Sequence, residues 1–244
     1  MSNQIKTAII TGASSGLGLG VAEAFVSRGV NVVLNARNEK KLAAVAERLG
    51  ASNTSIVPGD VGDAETGQRM VEEAVARFGG VDFLLNNAGV FEVKSFTDYT
   101  LEDIDQQLRY LRGMYLASQA AARQMRKQGG GAIVNITSVM ATRGVAGTAS
   151  SAPMAGKGGI NALTANLAIE LAPDNIRVNT IAPGIVKTPL WGRTDEQFAE
   201  LNGMQPLGRV GEIKDIVDAV LYLADANWVT GVILPVDGGV SAGG

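Results

Sequence analysis

Thr11-Gly-Ala-Ser-Ser-Gly-Leu-Gly18 is the stretch from which the rest of the chain can be read. Before it, Lys6 to Thr11 is a short apolar run ended by Gly12; after it, Gly16 to Val30 sets Leu17, Val21, Ala24 and Phe25 at helical spacing. The unit is strand, glycine turn, helix. At such a turn the first backbone N–H groups of the helix lack partners and the helix end is positive, so phosphate is attracted there. Glycines let the backbone turn tightly and approach a ligand closely. Gly12, Gly16 and Gly18 follow the spacing G-x3-G-x-G, and Ser14, Ser15 and Leu17 complete the candidate contacts of the turn. A purely structural turn would carry the same glycines; the position inside the first strand–helix unit argues for a ligand.

Outward from this unit the pattern repeats. Asn31 to Asn35 is a strand, Glu39 to Leu49 a helix, Thr54 to Val57 a strand, Ala64 to Phe78 a helix and Val81 to Leu85 a strand. A long helical stretch runs from Leu101 to about Gln128, Ala132 to Thr137 is a strand, and a helix over Ala155 to Leu171 carries Ile160, Leu163, Thr164 and Leu167 on one stripe. Ile176 to Ile181 is a strand, Glu212 to Leu223 a helix, and Val232 to Val236 the last strand. Alternating strands and helices predict a parallel sheet covered on both faces. The expected fold class is α/β, a doubly wound parallel sheet of seven strands. With 244 residues, 46% hydrophobic, and no repeat or linker, residues 1–244 are expected to form one domain.

Composition removes several function classes. Cysteine and histidine are both absent, so no thiolate nucleophile, cysteine or histidine metal site, Ser-His-Asp triad or imidazole base can be built. No metal site is expected. Twenty-one basic and 24 acidic residues give a net charge of −3 with no basic cluster, which argues against nucleic acid and for a small-molecule partner. No apolar run approaches the roughly 20 residues of a membrane span, and Met1 to Gln4 opens no secretory signal. A cytoplasmic location is the expectation.

The end of the second strand, Leu34-Asn-Ala-Arg-Asn38, bears on which nucleotide fits the turn. An acidic residue there would bond a ribose 2′-hydroxyl and repel a 2′-phosphate. Asn35, Ala36 and Arg37 offer no acid, and Arg37 can pair with a 2′-phosphate by a charge-assisted contact. NADP is therefore favoured over NAD.

Together, Thr11 to Gly18, Asp60-Val61, Asn86-Asn-Ala-Gly89, Ser138 and Pro183-Gly184 resemble the short-chain dehydrogenases, in that family's order and across nearly the whole chain. The resemblance implies a Rossmann-type NADP-binding oxidoreductase. It implies that Asp60 bonds adenine with Val61 beside it, that Asn87, Ala88 and Gly89 stand at the ribose, and that Pro183, Gly184, Ile185, Val186 and Thr188 contact the nicotinamide and its amide. It also implies a substrate lid over about 187–207, where Pro189, Trp191, Phe198, Met204 and Pro206 suggest a mostly apolar substrate. Small residues along Ala155 to Leu171 permit helix pairing between subunits, and the family commonly forms dimers or tetramers there.

The family's catalytic pattern is broken here. Its enzymes use a serine, an asparagine, and a tyrosine four residues before a lysine whose charge lowers the phenol pKa from about 10. Ser138 and Lys157 match the serine and the lysine, and Lys157 also belongs with the ribose contacts. Four residues before Lys157 stands Pro153, and no tyrosine lies between Ser138 and Lys157. Tyr110 occupies the asparagine position. One expectation is that Tyr110, entering from the neighbouring helix, supplies the missing phenol; a packed aromatic is the plainer alternative. A second scheme reduces a conjugated double bond through an enolate held by Ser138 and Lys157, and dienoyl-CoA reductases resemble the chain in that single gap. The rivals are a non-redox enzyme on the same scaffold, such as an isomerase or dehalogenase, and a nucleotide-binding protein without catalysis.

Overall fold

The computed structural model describes residues 5–145 and 148–243. Strands β1 Thr7–Thr11, β2 Asn31–Ala36, β3 Thr54–Pro58, β4 Phe83–Asn86, β5 Gly131–Ile136, β6 Ile176–Pro183 and β7 Ile233–Val236 form one sheet. Their order is β3-β2-β1-β4-β5-β6-β7 and every pairing is parallel. The fold is thus the α/β doubly wound, Rossmann-like domain read from the sequence.

Strand alternation assigns the two faces. Ala8, Ile10, Phe83, Leu85 and Val134 point to one side, where α1 Gly16–Ser27, α2 Glu39–Leu49 and α7 Ile213–Asp225 cover them with Phe25, Leu42 and Ile216. Ile9, Leu84 and Ile133 point to the other, under α3 Thr66–Phe78, α4 Leu101–Gln128 and α5 Ser151–Glu170, which contribute Met70, Met125 and Ala168. Burial on both faces explains why the central strands read as unbroken apolar runs. A short helix, α6 Asp195–Ala199, stands apart in the segment before α7.

A buried polar chain fixes α5 on the sheet. The Asn86 amide donates to Ser118 Oγ at 2.9 Å and to Asn135 Oδ1 at 2.8 Å. Asn135 in turn donates to Thr164 Oγ1 at 2.9 Å, and Thr164 and Thr180 share a hydrogen bond of 2.7 Å. These contacts tie β4, β5 and β6 to α4 and α5. Unpaired, the same buried groups would each cost about 1–3 kcal/mol, so the register of α5 is well determined.

Element ends fall close to the sequence reading, with two instructive differences. The first helix stops at Ser27 rather than reaching Val30, because Arg28 and Gly29 turn back onto Phe25 and Val26 carbonyls. The helix expected from Ala155 begins at Ser151, which puts Pro153 in its first turn. Proline is tolerated there because the N–H it lacks would have no helical partner.

The strand order reverses between β1 and β4. At such a switch point the loops leaving the strand C-termini diverge and open a crevice.

Candidate active site

A single continuous cavity of about 670 Å³ occupies that crevice. Of the candidate catalytic and cofactor-binding residues, all line it except Gly18; of the lid residues Pro189, Trp191 and Met204 line it, and Phe198 and Pro206 do not. Gly18 stands behind the turn: a Cβ there would lie 2.5 Å from the Gly12 carbonyl oxygen and 2.7 Å from Asn87 Nδ2. It lets α1 pack against the β1 and β4 ends, a packing role rather than a lining one.

At one end, Gly12, Ser14, Ser15, Gly16 and Leu17 surround the start of α1. Gly12 has φ +67°, a left-handed conformation that a side chain would strain. Ser15 is the N-cap of α1 and its side chain makes no capping bond, so its hydroxyl and the first N–H groups of the helix are free for an anion. Thr11 Oγ1 accepts from Asn87 N at 2.9 Å and Ala88 N at 3.0 Å, and the Asn87 amide returns a bond to Thr11 O at 3.0 Å. This lacing holds Asn87, Ala88 and Gly89 over the turn.

Beyond the turn lie Asn35, Arg37, Asp60 and Val61. The Asn35 amide is committed to Val57 O at 2.9 Å and Gly59 O at 3.2 Å, so it shapes the wall between β2 and β3. Asp60 accepts from Gly62 N at 2.8 Å and stands 3.4 Å from the Arg109 guanidinium. Arg37 has no ion-pair partner among the described residues. Neither has Lys41, which the sequence reading missed although it sits one turn into α2, four residues after Arg37. Two cations without an ion-pair partner among the described residues thus face the cavity, where they would attract an anion.

At the other end, the loop from Pro183 through Gly184, Ile185 and Val186 to Thr188 faces Ser138 and Lys157 across the cavity. Ser138 Oγ accepts from Met140 N at 3.2 Å, which leaves its own hydrogen to donate. Lys157 Nζ donates to the Thr137 carbonyl at 3.0 Å and lies 5.6 Å from the Phe91 ring centroid. Burial pulls the Lys157 ammonium down from its ordinary range to about 8. Phe91 packs on Trp191 with centroids 5.3 Å apart, and with Met140, Val145, Leu190 and Met204 it makes an apolar chamber. Of these, Phe91, Met140 and Val145 had no signal in the sequence, being ordinary loop residues that only the fold brings together.

Tyr110 lines the cavity from α4. Burial raises its phenol pKa; Arg37 opposes that rise, Asp60 adds to it and Arg109 opposes it. The charges that act on the phenol therefore belong to the Arg37–Asp60 end.

Comparison with known proteins agrees with this arrangement. The family model described as enoyl-(acyl carrier protein) reductase matches residues 12–241. Trans-4-hydroxycyclohexanecarboxylate dehydrogenase of Sinomonas cyclohexanicum is 38% identical over 249 residues, covering 98% of this chain and 93% of that protein. The 3alpha-hydroxysteroid dehydrogenase of Mediterraneibacter gnavus is 37% identical, covering 96% of each. A crystal structure of a short-chain type dehydrogenase/reductase from Mycobacterium marinum superposes with a TM-score of 0.88 at 34% identity, over 96% of this chain and 95% of that one. The chain belongs to the short-chain dehydrogenase/reductase family. Members of this family use nicotinamide cofactors, and a structure of ElxO with NADP bound matches with a TM-score of 0.90 at 30% identity, over 98% of this chain and all of that one. Pro153, four residues before Lys157, is buried in the first turn of α5 and does not line the cavity.

Proposed function

We propose that the chain is an NADP(H)-dependent oxidoreductase acting on a small, mostly apolar carbonyl, alcohol or enone. The observation that carries this reading is one cavity with a free helix N-terminus and two unpaired cations at one end, and Ser138 with Lys157 in an apolar chamber at the other.

The residues present fit a dinucleotide. The start of α1 offers free N–H groups and the Ser15 hydroxyl to a pyrophosphate, Arg37 and Lys41 favour a 2′-phosphate over a 2′-hydroxyl, and Asp60 and Val61 wall the adenine side. When bound, a nicotinamide cofactor supplies or accepts a hydride. Ile185, Val186 and Thr188 bound the space for its ring, and Lys157 is within the wall that would hold its ribose. Ser138 orients a substrate oxygen by donating its free hydrogen. Tyr110 is the phenol closest to this role by sequence, and the proton step is taken up below. Leu190, Trp191 and Met204 of the 187–207 segment form the outer side of the chamber, which supports a role as substrate cover. No helix among the described residues is long and apolar enough to cross a membrane. Exposed Leu101, Ile104, Leu108 and Tyr115 on α4, with Ile169 on α5, support a homodimer or homotetramer.

A second reading follows from Pro153: a nucleotide-binding protein of this family that has lost redox activity. Calorimetric titration with NADPH and NADH, followed by absorbance at 340 nm with ketones, diketones and enones, separates the two. Tight NADPH binding with oxidation by at least one apolar carbonyl supports the first reading; binding with no oxidation by any class supports the second.

A further inference from the structure

Five ionisable residues line the cavity: Arg37, Lys41, Asp60, Tyr110 and Lys157. Four of them form one group. Arg37, Lys41 and Asp60 stand beyond the ends of β2 and β3, Arg109 stands beside Asp60, and Arg37, Asp60 and Arg109 are the charges felt by the Tyr110 phenol. Lys157 is separate. Just past the end of β5 it meets the carbonyl of Thr137, the residue before Ser138, which lines the same cavity; from the loop after β4 it meets the Phe91 ring; the cavity-lining residues of α4 are Gln107, Tyr110, Leu111 and Met114; the lining residues of the loop after β6 are uncharged. No carboxylate pairs with it among the described residues, and Thr137 O is its one described hydrogen-bond acceptor.

That isolation, one turn along α5 from a proline where a phenol is expected, has a chemical consequence. We propose that Lys157 itself delivers the proton to the substrate carbonyl oxygen, with Ser138 holding that oxygen, and that it takes the proton back when an alcohol is oxidised. This deepens the oxidoreductase reading above and rests on it. An ammonium is ordinarily a weak acid at neutral pH, but burial without a counter-charge makes this one easier to deprotonate, with a value of about 8. In the reduction, two electrons and one hydrogen reach the carbonyl carbon as hydride from the reduced nicotinamide, and the C=O π pair moves to oxygen. One N–H bond of Lys157 breaks as the O–H bond forms, leaving a neutral amine that regains its proton from water. The oxidised nicotinamide and the alcohol are the products.

The test uses the full chain, NADPH and an apolar ketone that it reduces. The expected kcat profile falls above pH about 8, because the donor must be protonated. Lys157→Arg, which keeps a positive charge at the ribose but cannot release a proton, is expected to lower kcat at least about 100-fold and to remove that alkaline limb. Independently of turnover, the rate of amine labelling at Lys157 in the cofactor-free protein, followed by mass spectrometry against pH, is expected to have its midpoint near 8. An unchanged alkaline limb in Lys157→Arg, or its loss in Tyr110→Phe alone, would assign the proton to another group and overturn the proposal. A labelling midpoint above pH 10 would do the same. If the unmodified chain binds NADPH but reduces no carbonyl, the underlying reading fails and takes the proposal with it, a result distinct from any variant's.

Discussion

The two ends of the cavity are built on different principles. The end proposed to hold the nucleotide is made largely of backbone: helix N–H groups, turn carbonyls and the close approach of α1 to β1 and β4, with Arg37 and Lys41 as cavity-lining charges that lack an ion-pair partner among the described residues. The end proposed for catalysis rests on a few side chains, Ser138 and Lys157 above all, set among apolar neighbours. The first kind of site is destroyed by adding atoms and the second by exchanging functional groups. Position 153 bears on the difference: the first turn of α5 accepts proline because the N–H it lacks would have no helical partner there, so the residue at that position is not dictated by the helix.

The largest effect is expected for Gly18→Val, whose Cβ would stand 2.5 Å from the Gly12 carbonyl. Overpacking at that contact costs about 3 kcal/mol, and fluorescence titration should find NADPH affinity lowered at least about 100-fold. Ser138→Ala should act oppositely, reducing kcat about 100-fold while leaving the NADPH dissociation constant within about twofold, as steady-state kinetics and titration on the same sample would reveal. Equal losses in both quantities would mean that the two ends are not separable.

Arg37→Ala is expected to weaken NADPH binding about 30-fold, or about 2 kcal/mol, with NADH binding changed by less than about threefold. Parallel loss of both nucleotides would remove Arg37 from the 2′-phosphate. The smallest effect lies outside the cavity. The bidentate Arg209 contact holds the Asp215 carboxyl at about 2, and Asp215 also accepts from Glu212 N at the start of α7. Because the folded value lies below the ordinary 3.8, the stabilisation is complete above about pH 4 and is lost as pH falls towards 2. Both partners are partly exposed, so Asp215→Asn should cost only about 1 kcal/mol, a drop of about 2–4 °C in Tm at pH 7, with no change in NADPH affinity.

The same contrast explains what was legible in the sequence. The glycine turn, the strand periodicity and the missing acid after β2 report backbone geometry and charge, which follow local rules, and they led to the sheet and to one end of the cavity. Gly18 shows the limit: its spacing marks it, but only the structure separates packing from lining. The chamber of Phe91, Met140 and Val145 was not legible, because nothing local in a loop tells which apolar residue meets another from a distant strand end. Tyr110 was legible as a substitution and not as a role; its surroundings come from Arg37 and Asp60, more than forty residues away in the chain. Lys157 was singled out by its neighbours in sequence, whereas its lack of a carboxylate partner among the described residues is a property of the folded cavity.

The most direct test of the central claim follows the hydrogen itself. NADPH carrying deuterium at the nicotinamide C4 is incubated with the protein and a panel of apolar ketones and enones, and the products are examined by mass spectrometry. One deuterium is expected at the reduced carbon of at least one product, formed in step with loss of absorbance at 340 nm. Tight NADPH binding with no deuterium transferred to any member of the panel would contradict the claim.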